Sequence, residues 1–206
     1  QPYLIRYSTV SNMSDTLADA RLQEFLRELP DASREEITQF RGLVERYFLG
    51  DLTPDEFKAR RLHMGTYGIR GVKDLHMMRI KIPEGLLNAE QLECLAELAE
   101  RYSKGIGHIT TRQDMQLYWI PTREAPMAMA QAASVGLTTR EACGNSVRNV
   151  TACPYAGVCQ TESFDVAPYA NAITYFLLGH DDTQNFGRKF KIAFSGCADN
   201  PCGLTN

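Results

Sequence analysis

Apolar residues recur three and four positions apart through the first third of the chain, which is the spacing of amphipathic helices. This pattern predicts a first helix over 14–29. A second helix is predicted to begin at Ser33, because Ser33-Arg-Glu-Glu36 matches a capping box, and to end at Gly50. Thr53-Pro54 predicts the start of a short third helix that ends near His63. These segments predict a helical arm whose apolar stripe packs on the rest of the protein.

The period changes to strand-like alternation near residue 74. From there the pattern predicts a strand, a helix, two strands, a helix and a strand, at 76–82, 89–102, about 107–111, about 115–120, about 124–135 and 137–140. This β-α-β-β-α-β order is that of a ferredoxin-like unit. Further along, the sequence predicts a helix near 168–178 and a strand at 189–194. The predicted fold class is therefore α+β.

Composition excludes several classes of protein. The chain has 206 residues, of which 44% are hydrophobic and 23% charged, as in ordinary globular proteins. A net charge of −3 argues against nucleic acid as a general partner. The sequence contains neither an apolar run of roughly 18 residues, as a membrane span requires, nor the pattern of a signal peptide. We therefore expect a cytoplasmic protein with no membrane or nucleic-acid partner.

The strongest chemical signal is a basic strand that leads into two cysteines, Arg188-Lys-Phe-Lys-Ile-Ala-Phe-Ser-Gly-Cys197-Ala-Asp-Asn-Pro-Cys202. Strand alternation puts Lys189 and Lys191 on the same face, which suggests an anion site beside a thiol-rich loop. A second segment, Cys143 to Cys159, also combines a cation with thiols. With no signal peptide, six cysteines in a chain of this length favour metal or redox use over disulfides.

These two segments resemble the siroheme-dependent nitrite and sulfite reductases. Three further stretches agree with the resemblance, which covers roughly 62–206: Tyr67-Gly-Ile-Arg-Gly71, His76-Met-Met-Arg-Ile-Lys-Ile-Pro83 and Thr110-Thr-Arg-Gln-Asp-Met-Gln116. The resemblance implies siroheme coupled to a 4Fe–4S cluster, and six-electron reduction of sulfite to sulfide or nitrite to ammonia. It also implies electrons from ferredoxin or a flavoprotein. Family members carry two related halves, so the single copy seen here predicts an N-terminal half that is inactive as an isolated fragment.

The resemblance also assigns roles to individual residues. Four cations are expected around the substrate anion, where fixed positive charge stabilises the charge that develops as oxygen is lost: Arg79, Arg148, Lys189 and Lys191. Contacts to the siroheme carboxylates are expected from Arg70, Arg112, Gln116 and Asn149. The implied domains are a helical extension over 1–63, a ferredoxin-like half-domain over 64–140 and the first part of a siroheme/4Fe–4S domain over 141–206.

The role of four cysteines stays open at this point. Cys153-x5-Cys159 and Cys197-x4-Cys202 nearly reproduce the cluster-binding pattern of the family, and thiolates at such spacing suit iron–sulfur ligation. In the family, however, the cluster ligands lie in the C-terminal half, and the second pair here is one residue too widely spaced. These four cysteines are therefore either metal ligands or pseudo-symmetric counterparts of ligands that lie elsewhere.

Three alternative functions are also compatible with the sequence. One is half of a precorrin-modifying oxygenase of the same fold family, which would not need the four cations. Another is a non-catalytic iron–sulfur or zinc module built on the four cysteines. The last is a fragment that folds but binds nothing by itself.

Overall fold

Three helices form the N-terminal arm. In the computed structural model, which describes residues 13–184 and 186–198, they are α1 (Met13–Glu28), α2 (Asp31–Leu49) and α3 (Pro54–Arg61). The capping box predicted at Ser33 is wrong, because α2 begins two residues earlier, directly after Pro30, with no side-chain cap. The fixed backbone angle of the proline sets the entry into the helix instead. The predicted end at Gly50 is confirmed, with a left-handed φ of 86°.

The helix α4 (Ala89–Tyr102) begins and ends as predicted. Asn88 accepts a hydrogen bond from the backbone N–H of Gln91 at 2.8 Å, and the Gln91 side chain accepts one from the backbone N–H of Asn88 at 3.1 Å. This reciprocal capping box satisfies two backbone donors that the first turn of a helix leaves unpaired.

We expect the replacement Asn88→Ala to lower the free energy of unfolding by about 1 kcal/mol, because the first turn of α4 loses its cap. Urea unfolding followed by circular dichroism measures the difference. Asn88→Asp keeps an acceptor at the same position and is expected to unfold like the wild type. Equal losses in both variants would contradict a capping role for this side chain.

A four-stranded antiparallel sheet lies beside the helices. Its strands are β1 (Thr66–Gly68), β2 (Leu75–Ile80), β3 (Gly107–Ile109) and β4 (Met115–Pro121), in the order β1-β2-β4-β3. The helix α5 (Ala125–Ser134) follows β4, as predicted. Strand β1 was not predicted, because three residues are too short to show alternation. The mixed helix and sheet architecture confirms the predicted fold class.

The strand predicted over 137–140 is reduced to a single bridge between Lys81 and Thr138. Gly65 explains why. Its carbonyl accepts the backbone N–H of Arg79 at 2.9 Å, and a side chain at Gly65 would lie 2.3 Å from the carbonyl oxygen of Thr139. The backbone at Gly65 and β1 therefore occupy most of the edge of β2 that the fourth strand of a ferredoxin-like unit would pair with.

One apolar core joins the arm to the sheet. Met78, Ile80 and Leu117 are fully buried on one face of the sheet, and Phe40 and Phe57 from the arm belong to the same cluster. The predicted packing of the arm on the main body is confirmed. Within the described residues, no helix is long and apolar enough to cross a membrane.

The last part of the chain adds a smaller unit. It contains β5 (Thr151–Ala152), α6 (Ala167–Leu177) and β6 (Ala193–Phe194), and β5 pairs with β6 in parallel. Helix α6 confirms the prediction near 168–178. The predicted strand over 189–194 is shorter than expected, because only β6 and a bridge from Phe190 to Val147 are formed.

Candidate functional site

Strands β2 and β4 carry a polar face opposite the core. Arg79 pairs with Gln116 in the antiparallel register, and Ile80 pairs with Met115. Because side chains alternate along a strand, Arg79 and Gln116 point away from the face that holds Ile80. With its amide oxygen turned toward Arg79, Gln116 accepts from Arg79 Nε at 3.0 Å, and its nitrogen donates to the Tyr118 hydroxyl at 2.9 Å. Gln116 thus orients the Arg79 guanidinium.

Arg148 joins Arg79 at one backbone carbonyl. Arg79 Nη1 donates to the oxygen of Ala142 at 3.1 Å, and Arg148 Nη1 donates to the same oxygen at 2.5 Å. Arg148 Nε is buried and has no hydrogen-bond partner among the described residues. Burial lowers the pKa of Arg148, and the charge of Arg79 acts in the same direction. Two cations held side by side, one with an unpaired N–H, favour the addition of an anion.

The two predicted lysines lie in the segment before β6, on either side of the bridge at Phe190. The backbone N–H of Arg148 donates to the carbonyl of Phe190 at 2.9 Å, and Val147 forms a parallel bridge with Phe190. Lys189 and Lys191 flank Phe190, so this register brings them alongside Arg148. Both lysines are exposed. The structure therefore gathers the two arginines at one carbonyl and leaves the two lysines exposed in the adjoining segment.

Arg112 and Asn149 form a buried network with the backbone. Arg112 donates to the carbonyls of Asn149 and Ile192, the latter at 2.8 Å, and to the Thr151 hydroxyl at 3.4 Å. The Asn149 amide donates to the carbonyl of Ile82 at 2.7 Å and to that of Arg112 at 2.9 Å. These bonds fasten β5 and the residue before β6 to the sheet. Contacts from these two residues to siroheme carboxylates stay a prediction, as does the role of Arg70, which lies exposed between β1 and β2.

The cysteines come together only in part. Cys159 Sγ lies 3.9 Å from Cys197 Sγ, and Cys153 is buried nearby in the segment after β5. A hydrogen bond with Thr161 lowers the pKa of Cys159. Cys202 lies outside the described residues. Among residues 13–184 and 186–198, no three His, Cys, Asp or Glu side chains are grouped as a metal site.

Three charged residues near the site were missed by the sequence-based predictions. Lys81 is buried, with its ammonium 3.5 Å from the Glu141 carboxylate. Asp114 is buried, and the positive charges of Arg79 and Arg148 act to lower the pKa of its carboxyl group. A signal was available for two of them, because Lys81 and Asp114 lie two residues from Arg79 and Gln116 and so belong to the same face of the sheet.

Comparison with known proteins assigns the sequence to a family. Residues 67–135 match the family model described as the nitrite/sulfite reductase ferredoxin-like half domain, and residues 143–205 match the nitrite and sulphite reductase 4Fe-4S domain. The chain belongs to the nitrite and sulfite reductase family. The predicted resemblance is thereby confirmed, and the cofactors that membership of this family implies are siroheme and a 4Fe–4S cluster.

Curated members of the nitrite and sulfite reductase family show similarity over part of their length. An assimilatory ferredoxin-dependent nitrite reductase of Haloferax mediterranei is 32% identical over 182 residues, which cover 82% of this chain and 30% of that protein. A ferredoxin–nitrite reductase of Leptolyngbya laminosa is 37% identical over 129 residues, covering 60% and 25%. The chain thus spans less than a third of the length of these relatives.

A solved structure agrees with the fold. The structure of the Mycobacterium tuberculosis NirA protein matches with a TM-score of 0.68 at 25% sequence identity, over 82% of this chain and 36% of that one. Dissimilatory sulfite reductase I matches with a TM-score of 0.52 at 15% identity, which supports the fold alone. The family assignment therefore rests on sequence and on fold together.

Proposed function

We propose that the chain supplies the anion-binding cations of a siroheme-dependent reductase that converts sulfite to sulfide or nitrite to ammonia with six electrons. The observation that carries the proposal is the convergence of Arg79 and Arg148 on the carbonyl of Ala142. The names of the relatives, ferredoxin-dependent nitrite reductases and a ferredoxin sulfite reductase, support the reaction class. We assign the chain to the N-terminal half of that enzyme. Within the chain, we place the domain boundaries after residues 63 and 140.

The roles of the cations follow from their chemistry. Arg79 and Arg148 keep their charge and offer N–H groups in a planar fork, which suits the oxygen atoms of a small oxyanion. Lys189 and Lys191 are exposed in the adjoining segment, and an ammonium group can both attract the anion and give up a proton. Together these side chains would bind the anion, orient it and stabilise the negative charge that grows on its departing oxygen.

The described residues fit siroheme better than they fit the cluster. Siroheme is a polyanion, and among the residues predicted to contact it the exposed Arg70 offers N–H donors for its carboxylates, while Arg148 and the two lysines are assigned to the substrate anion. When bound, siroheme would supply the electron-transfer chemistry. A cluster needs four thiolates, whereas the described cysteines provide one close pair, Cys159 and Cys197. We propose that the cluster ligands lie in the C-terminal half of the complete enzyme, because the second cysteine pair here, Cys197-x4-Cys202, is one residue wider than the pattern of the family.

The electron donor and the cellular location of the enzyme are also part of the proposed function. We propose ferredoxin as the electron donor, supported by the names of the relatives, with a flavoprotein as the alternative donor. The cytoplasmic location expected from the sequence belongs to the same proposal.

The replacement Lys189→Ala in the complete reductase tests the function. We expect at least a tenfold loss in kcat/KM for nitrite or sulfite, because one cation of the anion site is removed while the siroheme spectrum is retained. Reduced methyl viologen can serve as the electron donor in the assay. Lys58→Ala removes an equally exposed lysine from α3 and is expected to stay within about twofold of the wild type. An enzyme that reduces neither anion would overturn the proposal.

A further inference from the structure

Asp114 lies on the same face of the sheet as the arginine of the anion site. The pairs Arg79–Gln116 and Ile80–Met115 fix the register of β2 and β4. Continuing that register by one residue sets Lys81 opposite Asp114. Since Arg79 and Lys81 are two residues apart, as are Asp114 and Gln116, all four belong to the polar face.

The carboxyl group of Asp114 is enclosed by cations but is not paired with any of them. It is 3% exposed, its Oδ1 has no hydrogen-bond partner, and it forms no salt bridge among the described residues. Four cations act on it: Arg79 in β2, Lys81 directly after β2, Arg112 in the bend before β4, and Arg148 in the segment before β5. A buried carboxyl with one oxygen left unpaired is costly to ionise, so this position does not have the structure of a simple stabilising ion pair.

Other groups around Asp114 already have partners of their own. Lys81 is balanced by Glu141 at 3.5 Å, and Arg112 donates to backbone carbonyls. The Cys143 thiol also lies within range, and burial raises its pKa, so it stays protonated at neutral pH. The cations that interact with Asp114 thus include Arg79, which has the largest effect, and Arg148, the pair proposed to bind the anion.

Burial raises the pKa of Asp114 to about 7, although the four cations act in the opposite direction. Both protonation states are therefore populated near neutral pH when no anion is bound. A bound anion would bring a second negative charge to the same two arginines, and like charges in one site favour protonation of the weaker acid.

We propose that Asp114 is a positioning residue of the anion site, whose carboxylate takes up one proton from solvent when nitrite or sulfite binds beside Arg79 and Arg148. The inference rests on the proposed function. The step adds one proton to one carboxylate oxygen and breaks no other bond. While the site is empty, the ionised carboxylate offsets part of the positive charge of the two arginines without contacting them, and its protonation makes that charge available to the incoming anion.

The pH dependence of anion binding tests the inference. In the complete reductase, the dissociation constant of nitrite is measured by absorption titration from about pH 6 to 9, a range in which nitrite itself does not titrate. For the wild type we expect the constant to rise above pH 7 by up to about tenfold for each pH unit, as linkage to one proton requires. For Asp114→Asn, which is neutral throughout, we expect a change of less than about twofold and tighter binding than the wild type at high pH.

Calorimetry gives a second readout that needs no variant. Nitrite binding to the wild type, measured near pH 8 in two buffers of different protonation enthalpy, is expected to consume up to one proton per anion. Asp51→Asn, an exposed carboxylate between α2 and α3, should keep both the pH slope and the proton uptake.

Three results would overturn the inference. They are nitrite binding without proton uptake in the wild type, an unchanged pH slope in Asp114→Asn, and loss of the slope in Cys143→Ala instead. An enzyme that binds neither anion at any pH would overturn the proposed function as well, so the two failures can be told apart.

Discussion

Replacement of Arg148 by alanine in the complete reductase is expected to lower kcat/KM for nitrite or sulfite by about 10²–10³-fold, the loss typical when one preorganised donor to a developing charge is removed. Arg148 shares the Ala142 carbonyl with Arg79 and holds a buried Nε without a partner. Its removal therefore takes away a charge and an available N–H together. Steady-state kinetics with reduced methyl viologen measures the effect.

Two control variants separate chemistry from folding. Arg148→Lys keeps the charge but lacks the planar fork of N–H donors. We therefore expect its kcat/KM to lie between those of the wild type and the alanine variant. Arg101→Ala removes an exposed arginine from α4, where its one ion pair is a weak contact of 4.0 Å, and should leave turnover unchanged. Wild-type kcat/KM in Arg148→Ala, with siroheme retained, would contradict the assignment of this arginine to the anion site.

Local chemistry explains which elements could be predicted from sequence. The start of α4 at Asn88 and the end of α2 at Gly50 depend on a capping side chain and a left-handed glycine, both of which act within one turn. The start of α2 was mispredicted because two local signals compete, and Pro30 takes precedence over the capping box at Ser33. The strand over 137–140 failed for a tertiary reason, since Gly65 and β1 take the edge it would have used.

Only the residues of the candidate site that belong to sequence motifs could be predicted. The resemblance pointed to Arg79 and Arg148 together, and the structure brings their guanidinium groups to one carbonyl. It could not show that Arg112 is engaged by the backbone around β5 and β6, because those contacts join residues up to 80 positions apart. Strand alternation beside Arg79 would have drawn attention to Asp114, but its burial depends on the folded loop.

Glu141 is the clearest case of a residue that only the fold explains. Its carboxylate is 1% exposed and accepts from the backbone N–H of Gly179 at 2.8 Å and from the Gln184 amide at 2.6 Å. The same carboxylate lies 3.5 Å from the Lys81 ammonium. In addition, its backbone N–H donates to the carbonyl of His63 at 2.6 Å. The Glu141 side chain thus connects the segment after α6 to the residue that follows β2.

The replacement Glu141→Ala is expected to lower the free energy of unfolding by about 3–5 kcal/mol, because Lys81 is left buried without its ion-pair partner. Urea unfolding measures the loss, and faster hydrogen exchange at the Gly179 amide would locate it. Glu141→Gln keeps an acceptor for that amide and should retain more of the protection there. In the double variant Lys81→Met with Glu141→Ala, neither charge of this pair remains, so the total loss should be smaller than the sum of the single losses. Additive losses would show that the two side chains do not act as a pair.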